Sequence, residues 1–295
     1  MAVSAITWLP WQWALDFAAM LLVVSVALRV GGRRRFWSAG VAEIAALMAL
    51  YAAWQFAGSL SAGGLDGAES AGLWLSEVEN FLQWPSEAAI QSPVLDHEWV
   101  MRAADTYYAT AHVPVFLMTL AWIFIFRRPD WPFARTTIVL TTAVCLVIQY
   151  KPVAPPRLIP ELGVVDTAAR TGLSVYGALP GANQYAAMPS VHVAWAAAVA
   201  LLIVVVGRSR WRWLAVAYPV TTMWVVVVTG NHFLIDGWVA IAVLALAAAA
   251  TYAVPSQRPT RVRLHGSRTP TRQALRASLR DQEPGGVEVW SKGRS

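Results

Sequence analysis

Two histidines stand at places where an imidazole is chemically useful. His192 follows Met188-Pro189-Ser190-Val191 at the head of one apolar run. His232 falls within Thr229-Gly230-Asn231-His232-Phe233-Leu234-Ile235-Asp236, where one apolar run ends and the next begins. An imidazole titrates near neutrality and serves as base, acid or nucleophile, whereas it is a poor anchor in lipid. Asp236 comes four residues after His232, the spacing of one helix face. A carboxylate bonded to one ring nitrogen fixes the tautomer and stabilises the imidazolium formed during proton transfer. A structural His–Asp clasp between helices is the competing reading. Metal ligation is the weaker reading, because no further histidine or cysteine has supporting spacing. No metal and no other cofactor is expected.

An anion site is foreshadowed beside the histidines. Tyr150-Lys151-Pro152-Val153-Ala154-Pro155-Pro156-Arg157-Leu158 carries two cations in a frame stiffened by proline, which excludes a continuing helix. A guanidinium grips phosphate with two parallel hydrogen bonds, and an ammonium adds a point charge. Arg157 fits that role, while Lys151 reads equally as a side chain snorkelling from a helix end. Pro189 suits a helix start and Ser190 is placed to cap it, so the unpaired N–H groups there also favour an anion. His112, beside Tyr107 and Tyr108 in another apolar run, either lines the same cavity or bonds across helices. His97 and His265 read as surface residues.

The elements that must hold these residues are membrane spans. With 57% hydrophobic and 14% charged residues and a mean hydropathy of +0.48, the chain has the composition of an integral membrane protein. Crossing a hydrocarbon core of about 30 Å takes roughly 20 apolar residues. Seven spans are expected at 13–30, 39–60, 106–126, 134–150, 190–207, 211–230 and 232–254, an all-α polytopic bundle. The pieces between them sort by charge. Arg29, Arg33, Arg34 and Arg35 follow the first span; Arg127, Arg128 and Arg135 flank the third turn; Arg208, Arg210 and Arg212 flank the fifth; the tail is rich in arginine. Alternating spans put all four groups on one face, which the positive-inside rule makes cytoplasmic. The N-terminus, segments 61–105 and 151–189 and the His232 turn then lie outside. The basic balance (net +6) is thus accounted for by topology, and no nucleic-acid partner is expected. No positive residue precedes the first apolar run, so a cleavable signal peptide is not expected. The single cysteine, Cys145, excludes an internal disulfide.

Segment 61–105 is too polar to span. Leu73, Leu75, Val78, Phe81 and Leu82 recur at helical spacing up to Pro85, as in an interfacial amphipathic helix that either covers the bundle's outer mouth or rests in the headgroups. Trp8, Trp11, Trp13, Trp74, Trp84, Trp99, Trp131, Trp211 and Trp213 fall near expected interfaces, where indole rings settle. The expected organisation is a transmembrane catalytic domain over 1–254, with its core at about 106–254, and a basic, disordered cytoplasmic tail over 255–295.

Together these pieces resemble the type 2 phosphatidic acid phosphatase superfamily, whose signatures run K-x6-R-P, then P-S-G-H, then S-R-x5-H-x3-D. Lys151 and Arg157 match the first with five residues between them and Leu158 in place of proline. Pro189, Ser190 and His192 match the second with Val191 for glycine, and His232 and Asp236 match the third with Val225 and Val226 for Ser and Arg. The P-P-R loop and the absent third arginine look more like the branch of inositol-phosphorylceramide synthases and related inositolphosphotransferases. The resemblance implies that His232 is the nucleophile and becomes a phosphohistidine. It makes Asp236 its orienting group and His192 the acid and then the base, with Lys151, Arg157 and Ser190 holding phosphoryl oxygens. The implied partners are the bilayer, a lipid phosphate and an acceptor, either water or a polyol or sugar hydroxyl, at the extracytoplasmic face of the cell membrane. A non-enzymatic transporter or scaffold is the alternative on the same bundle, although no internal repeat of the transporter kind is found.

Overall fold

The computed structural model describes residues 9–31, 35–61, 67–174 and 184–260. Arg33, Arg34, Trp8, His265 and most of the basic tail lie outside the described residues. Within them the chain is all-α, with no strand and a single parallel bridge between Val153 and Ala186. Eleven α-helices are described: α1 (Trp11–Val30), α2 (Arg35–Ser61), α3 (Ala68–Phe81), α4 (Glu87–Leu95), α5 (Glu98–Thr110), α6 (His112–Phe126), α7 (Trp131–Gln149), α8 (Thr167–Thr171), α9 (Val191–Val206), α10 (Ala217–Val228) and α11 (Leu234–Ala253).

Five helical stretches are long and apolar enough to cross a membrane, and α5 with α6 forms a sixth if the pair is one bent span. The α9 helix is equally apolar but has only 16 residues. The bend between α5 and α6 is 45°. Its cause is Pro114, which has no N–H to offer the Thr110 carbonyl one turn earlier. Sequence periodicity placed one span over 106–126; the helix in fact begins at Glu98 and breaks where His112 enters.

Lipid tails are as apolar as leucine, so packing between spans relies on close fit more than on expulsion of water. α9 meets that need with Ala194, Ala196, Ala198 and Ala200, all buried. The small side chains let α9 sit among α6, α7, α10 and α11. Trp195 stacks on Phe116 with centroids 4.5 Å apart and planes 10° apart. Large apolar side chains such as Val23, Phe126 and Leu246 point outward, as the hydrocarbon solvent allows. Trp13, Trp74, Trp99, Trp211 and Trp213 are exposed, in keeping with interfacial positions. Trp131 is not: it is buried edge-on against Phe124, 5.2 Å between centroids, inside the bundle.

The amphipathic stretch forms two helices, α3 and α4, separated at Pro85. α3 does not merely lie on the surface. Leu75 is buried with Val153, Ala154, Ile159, Ala187 and Phe233 in an apolar cluster that joins α3 to all three motif loops. Gly72 makes this approach possible, since a Cβ there would stand 2.7 Å from the Ala154 carbonyl oxygen. Phe81 and Leu82, read as part of the apolar face, are exposed.

Candidate active site

Three separate loops are stitched together at one end of the spans. The segment after α7 meets the segment before α9 through the Val153–Ala186 bridge, where Val153 N donates to Tyr185 O at 2.6 Å and Ala187 N donates to Val153 O at 3.3 Å. Gln149, at the end of α7, donates through Nε2 to Pro189 O at 3.0 Å and to Ala186 O at 3.3 Å. The turn after α10 joins them where Arg157 N donates to Gly230 O at 3.0 Å. Gly230 has φ +70°, and a Cβ there would stand 2.9 Å from Val164 Cγ1 and 3.0 Å from Arg157 Cβ. Both its conformation and the closeness of Arg157 call for glycine.

This framework brings His192, His232, Asp236 and Ser190 into one cluster. The His192 and His232 ring centroids lie 6.0 Å apart. His232 Nδ1 is 2.7 Å from the Ala187 carbonyl oxygen and 3.4 Å from Asp236 Oδ2. A carbonyl can only accept, so Nδ1 carries the proton and the Nε2 lone pair is left for chemistry. The tautomer is set first by a main-chain oxygen from the His192 loop and second by the carboxylate. Sequence spacing placed His232 and Asp236 on one helix face, but α11 begins at Leu234, beyond His232. The two side chains meet across the helix cap instead. Asp236 Oδ2 accepts from Phe233 N at 2.9 Å, the acidic half of a capping box, and approaches the ring with the same oxygen.

Ser190 is buried and caps α9, its Oγ accepting from Val193 N at 3.4 Å, while Ser190 N donates to Asp236 O at 3.1 Å. His192, in the first turn of α9, packs on Tyr108 at 4.4 Å and against His112 at 4.5 Å between centroids. His112 is therefore part of the cluster. Its Nδ1 is 3.4 Å from Tyr218 Oη, and its buried Nε2 has no hydrogen-bond partner among the described residues. Of its two readings, the bond across helices is met by Tyr218 of α10.

Arg157 is 2% exposed and held by three acceptors: Nε donates to Asn231 Oδ1 at 2.9 Å, and Nη1 to Gln184 Oε1 at 3.3 Å and Asp166 Oδ2 at 3.5 Å. Asn231 is thus a link between Arg157 and the neighbouring His232, and its Nδ2 donates to Thr229 Oγ1 at 2.9 Å. Lys151 stands exposed just beyond α7, apart from these contacts. Val225 and Val226, at the positions of the missing Ser and Arg, are buried in α10 and supply no charge. Among the described residues no group of three or more His, Cys, Asp or Glu side chains could hold a metal ion.

Sequence reasoning missed Asn231, Gln184, Asp166 and two acids of the amphipathic segment, Glu79 and Glu87. Both acids are buried and accept from the first turn of α11: Leu234 N donates to Glu87 Oε1 at 3.2 Å and Ile235 N to Glu79 Oε1 at 2.7 Å. Only Asn231, adjoining His232, carried a signal that could have been read.

A helical membrane bundle that closes polar loops around two histidines, an aspartate and an arginine has the parts of a phosphatase- or phosphotransferase-type enzyme. The chain matches the PAP2 superfamily over residues 73–251 and belongs to that superfamily. The matched stretch takes in α3 and α4 as well as the motif loops, and leaves α1 and α2 outside it. No curated protein and no solved structure matches the chain.

Proposed function

We propose that this protein transfers the phosphoryl group of a lipid-linked phosphate by way of a phosphohistidine. His232 Nε2 attacks phosphorus, and the bond from phosphorus to the leaving oxygen breaks as His192 gives that oxygen a proton. An acceptor hydroxyl then attacks the phosphoryl group while His192 takes its proton. The N–P bond breaks, and both rings return to their starting state. Asp236 stabilises the charge that His232 carries in the intermediate. Arg157, Lys151 and the Ser190-capped start of α9 hold the phosphoryl oxygens. The reading rests on one observation above others: the ring of His232, its Nδ1 committed to Ala187 O, stands 6.0 Å from the ring of His192, within reach of a single phosphate and its bridging oxygen.

The acceptor distinguishes two activities, since water yields a lipid phosphatase and a polyol or sugar hydroxyl a headgroup transferase. The P-P-R loop and the apolar Val225-Val226 pair support an inositolphosphotransferase-like enzyme. Counting α5 with α6 as one span and α9 as another gives seven, and the positive-inside rule then supports a site on the extracytoplasmic face of the cell membrane with the tail after residue 254 in the cytoplasm. The transmembrane domain over 1–254 then carries the catalytic core at about 106–254.

The test offers purified protein several labelled lipid phosphates, with and without free inositol, and asks whether inorganic phosphate or a new lipid forms. His232→Ala and His192→Ala should each lose about a thousandfold or more in turnover. Unchanged turnover in both variants would refute the mechanism.

A further inference from the structure

The first turn of α11 is unusual in what satisfies its free N–H groups. Phe233 N donates to Asp236, Leu234 N to Glu87 and Ile235 N to Glu79, so three successive donors meet three different carboxyl groups. Two of these acids come from α3 and α4, 156 and 147 residues away in sequence from their donors. A helix N-terminus normally takes one local cap and leaves the remaining donors to water. Here no water is needed, because Glu79 and Glu87 are 2% and 3% exposed.

The pair cannot be two ordinary carboxylates. Glu79 Oε2 is buried with no hydrogen-bond donor of its own, and Glu87 is its acidic neighbour. Burial first, and then Glu87, push the Glu79 carboxyl up to about 9, against the pull of the Ile235 N–H. The charged groups that face Glu79 are Glu87 from α4 and Asp236 from α11. The loop packed against α3 contributes Val153, Ala154 and Ile159, none of which titrates. Near neutrality Glu79 therefore holds a proton. Loss of that proton would bring another charge into a buried site that already contains Asp236.

We propose that Glu79 and Glu87 are positioning residues for His232: a pair of buried carboxyl groups, from α3 and α4, that clamps the turn from which both His232 and Asp236 project. The clamp fixes α11 axially against α3 and α4, and so fixes the distance from His232 Nδ1 to its two acceptors. This inference rests on the reading of His232 as nucleophile, but it has a readout independent of activity. The folded-state value of Glu79 lies above its ordinary 4.5, so the stability its proton confers is full below about 4.5 and is lost as pH rises through about 9.

The experiment uses the full-length protein, its thermal unfolding followed by tryptophan fluorescence and its turnover of labelled phosphatidate measured from about pH 6 to about pH 10. In the wild type both the unfolding temperature and kcat should fall above about pH 8, as the Glu79 proton begins to leave. Glu79→Gln keeps an acceptor for the Ile235 N–H and cannot ionise. It should stay within about twofold of wild-type kcat at neutral pH and lose the alkaline fall in both measurements. Glu79→Ala should lower kcat about tenfold, the rate equivalent of one missing cap, with KM nearly unchanged. Superimposable pH profiles for wild type and Glu79→Gln, or wild-type kcat in Glu79→Ala, would overturn the clamp. If the wild type turns over no lipid phosphate, the functional reading falls by itself, and the unfolding profiles still decide for or against the pair.

Discussion

The α1–α2 hairpin and the site end of the bundle are built on opposite principles. The hairpin is apolar on its outer faces and is closed on itself by small polar contacts: Ser25 Oγ donates to Ser38 O at 2.7 Å, Ser38 Oγ to Ser25 O at 3.0 Å, and Tyr51 Oη to Leu9 O at 3.0 Å. It reaches the rest of the protein through Glu43, 2.9 Å from Arg135 Nη1, and through Phe36, whose ring lies 5.0 Å from the Arg128 guanidinium. The site end is held by hydrogen bonds between segments far apart in sequence, many of which use a main-chain group. Gln91, fully buried, donates to Val165 O and Val228 O at 2.8 and 2.9 Å and accepts from Val165 N at 2.8 Å. A span in lipid needs only an apolar exterior and satisfied backbone, which a helix supplies alone. Loops that leave the helical repeat must find partners elsewhere, and these partners fix the position of the clustered histidines. The superfamily match begins at residue 73, which places the hairpin outside it and the Gln91 contacts inside.

Substitutions can break this contrast in graded steps. The histidines themselves should show the greatest loss, as set out above. Next comes Asn231→Ala, which removes the acceptor of Arg157 Nε; a hydrogen bond to a charged group is worth about 1.5–3 kcal/mol, so kcat/KM for a lipid phosphate should fall roughly ten- to a hundredfold. Gln91→Leu deletes three buried hydrogen bonds at once and leaves Val165 and Val228 unsatisfied. Thermal unfolding should report a loss of about 2–4 kcal/mol, with turnover reduced less than in the Asn231 variant. The double change Ser25→Ala and Ser38→Ala removes both hydroxyls of their contact and, with Ser38 Oγ, a long 3.4 Å acceptor of the part-buried Arg29 Nε. Its unfolding should shift by less than about 1 kcal/mol and its turnover should match wild type. Activity loss in the serine variant comparable to that of Asn231→Ala would erase the distinction between the two regions.

The same contrast explains what the sequence disclosed. Spans are legible because twenty apolar residues admit few other fates in water or lipid. His192, His232, Asp236 and Arg157 are legible because their types are costly at the rim of a span and their order follows a known pattern. Glu79 and Glu87 were invisible for a specific reason. On an amphipathic helix an acid reads as part of the solvated face, and nothing local tells that its true partner is a backbone N–H some 150 residues later. Gln91 and Asn231 were hidden likewise, since an amide side chain gains its meaning only from the groups it joins. Trp131 misled in the other direction, because indole is as much at home against Phe124 as in the headgroups. The 45° bend was available in principle from Pro114, yet uniform hydropathy across 106–126 hid it.

The hydrogen bond from His232 to the Ala187 carbonyl has a stereochemical consequence of its own. An imidazole offers two regioisomeric phosphoramidates, and a ring whose π nitrogen is engaged by a main-chain oxygen can form only the τ isomer. Under the mechanism proposed above, the fold thus chooses which adduct would form before any substrate arrives.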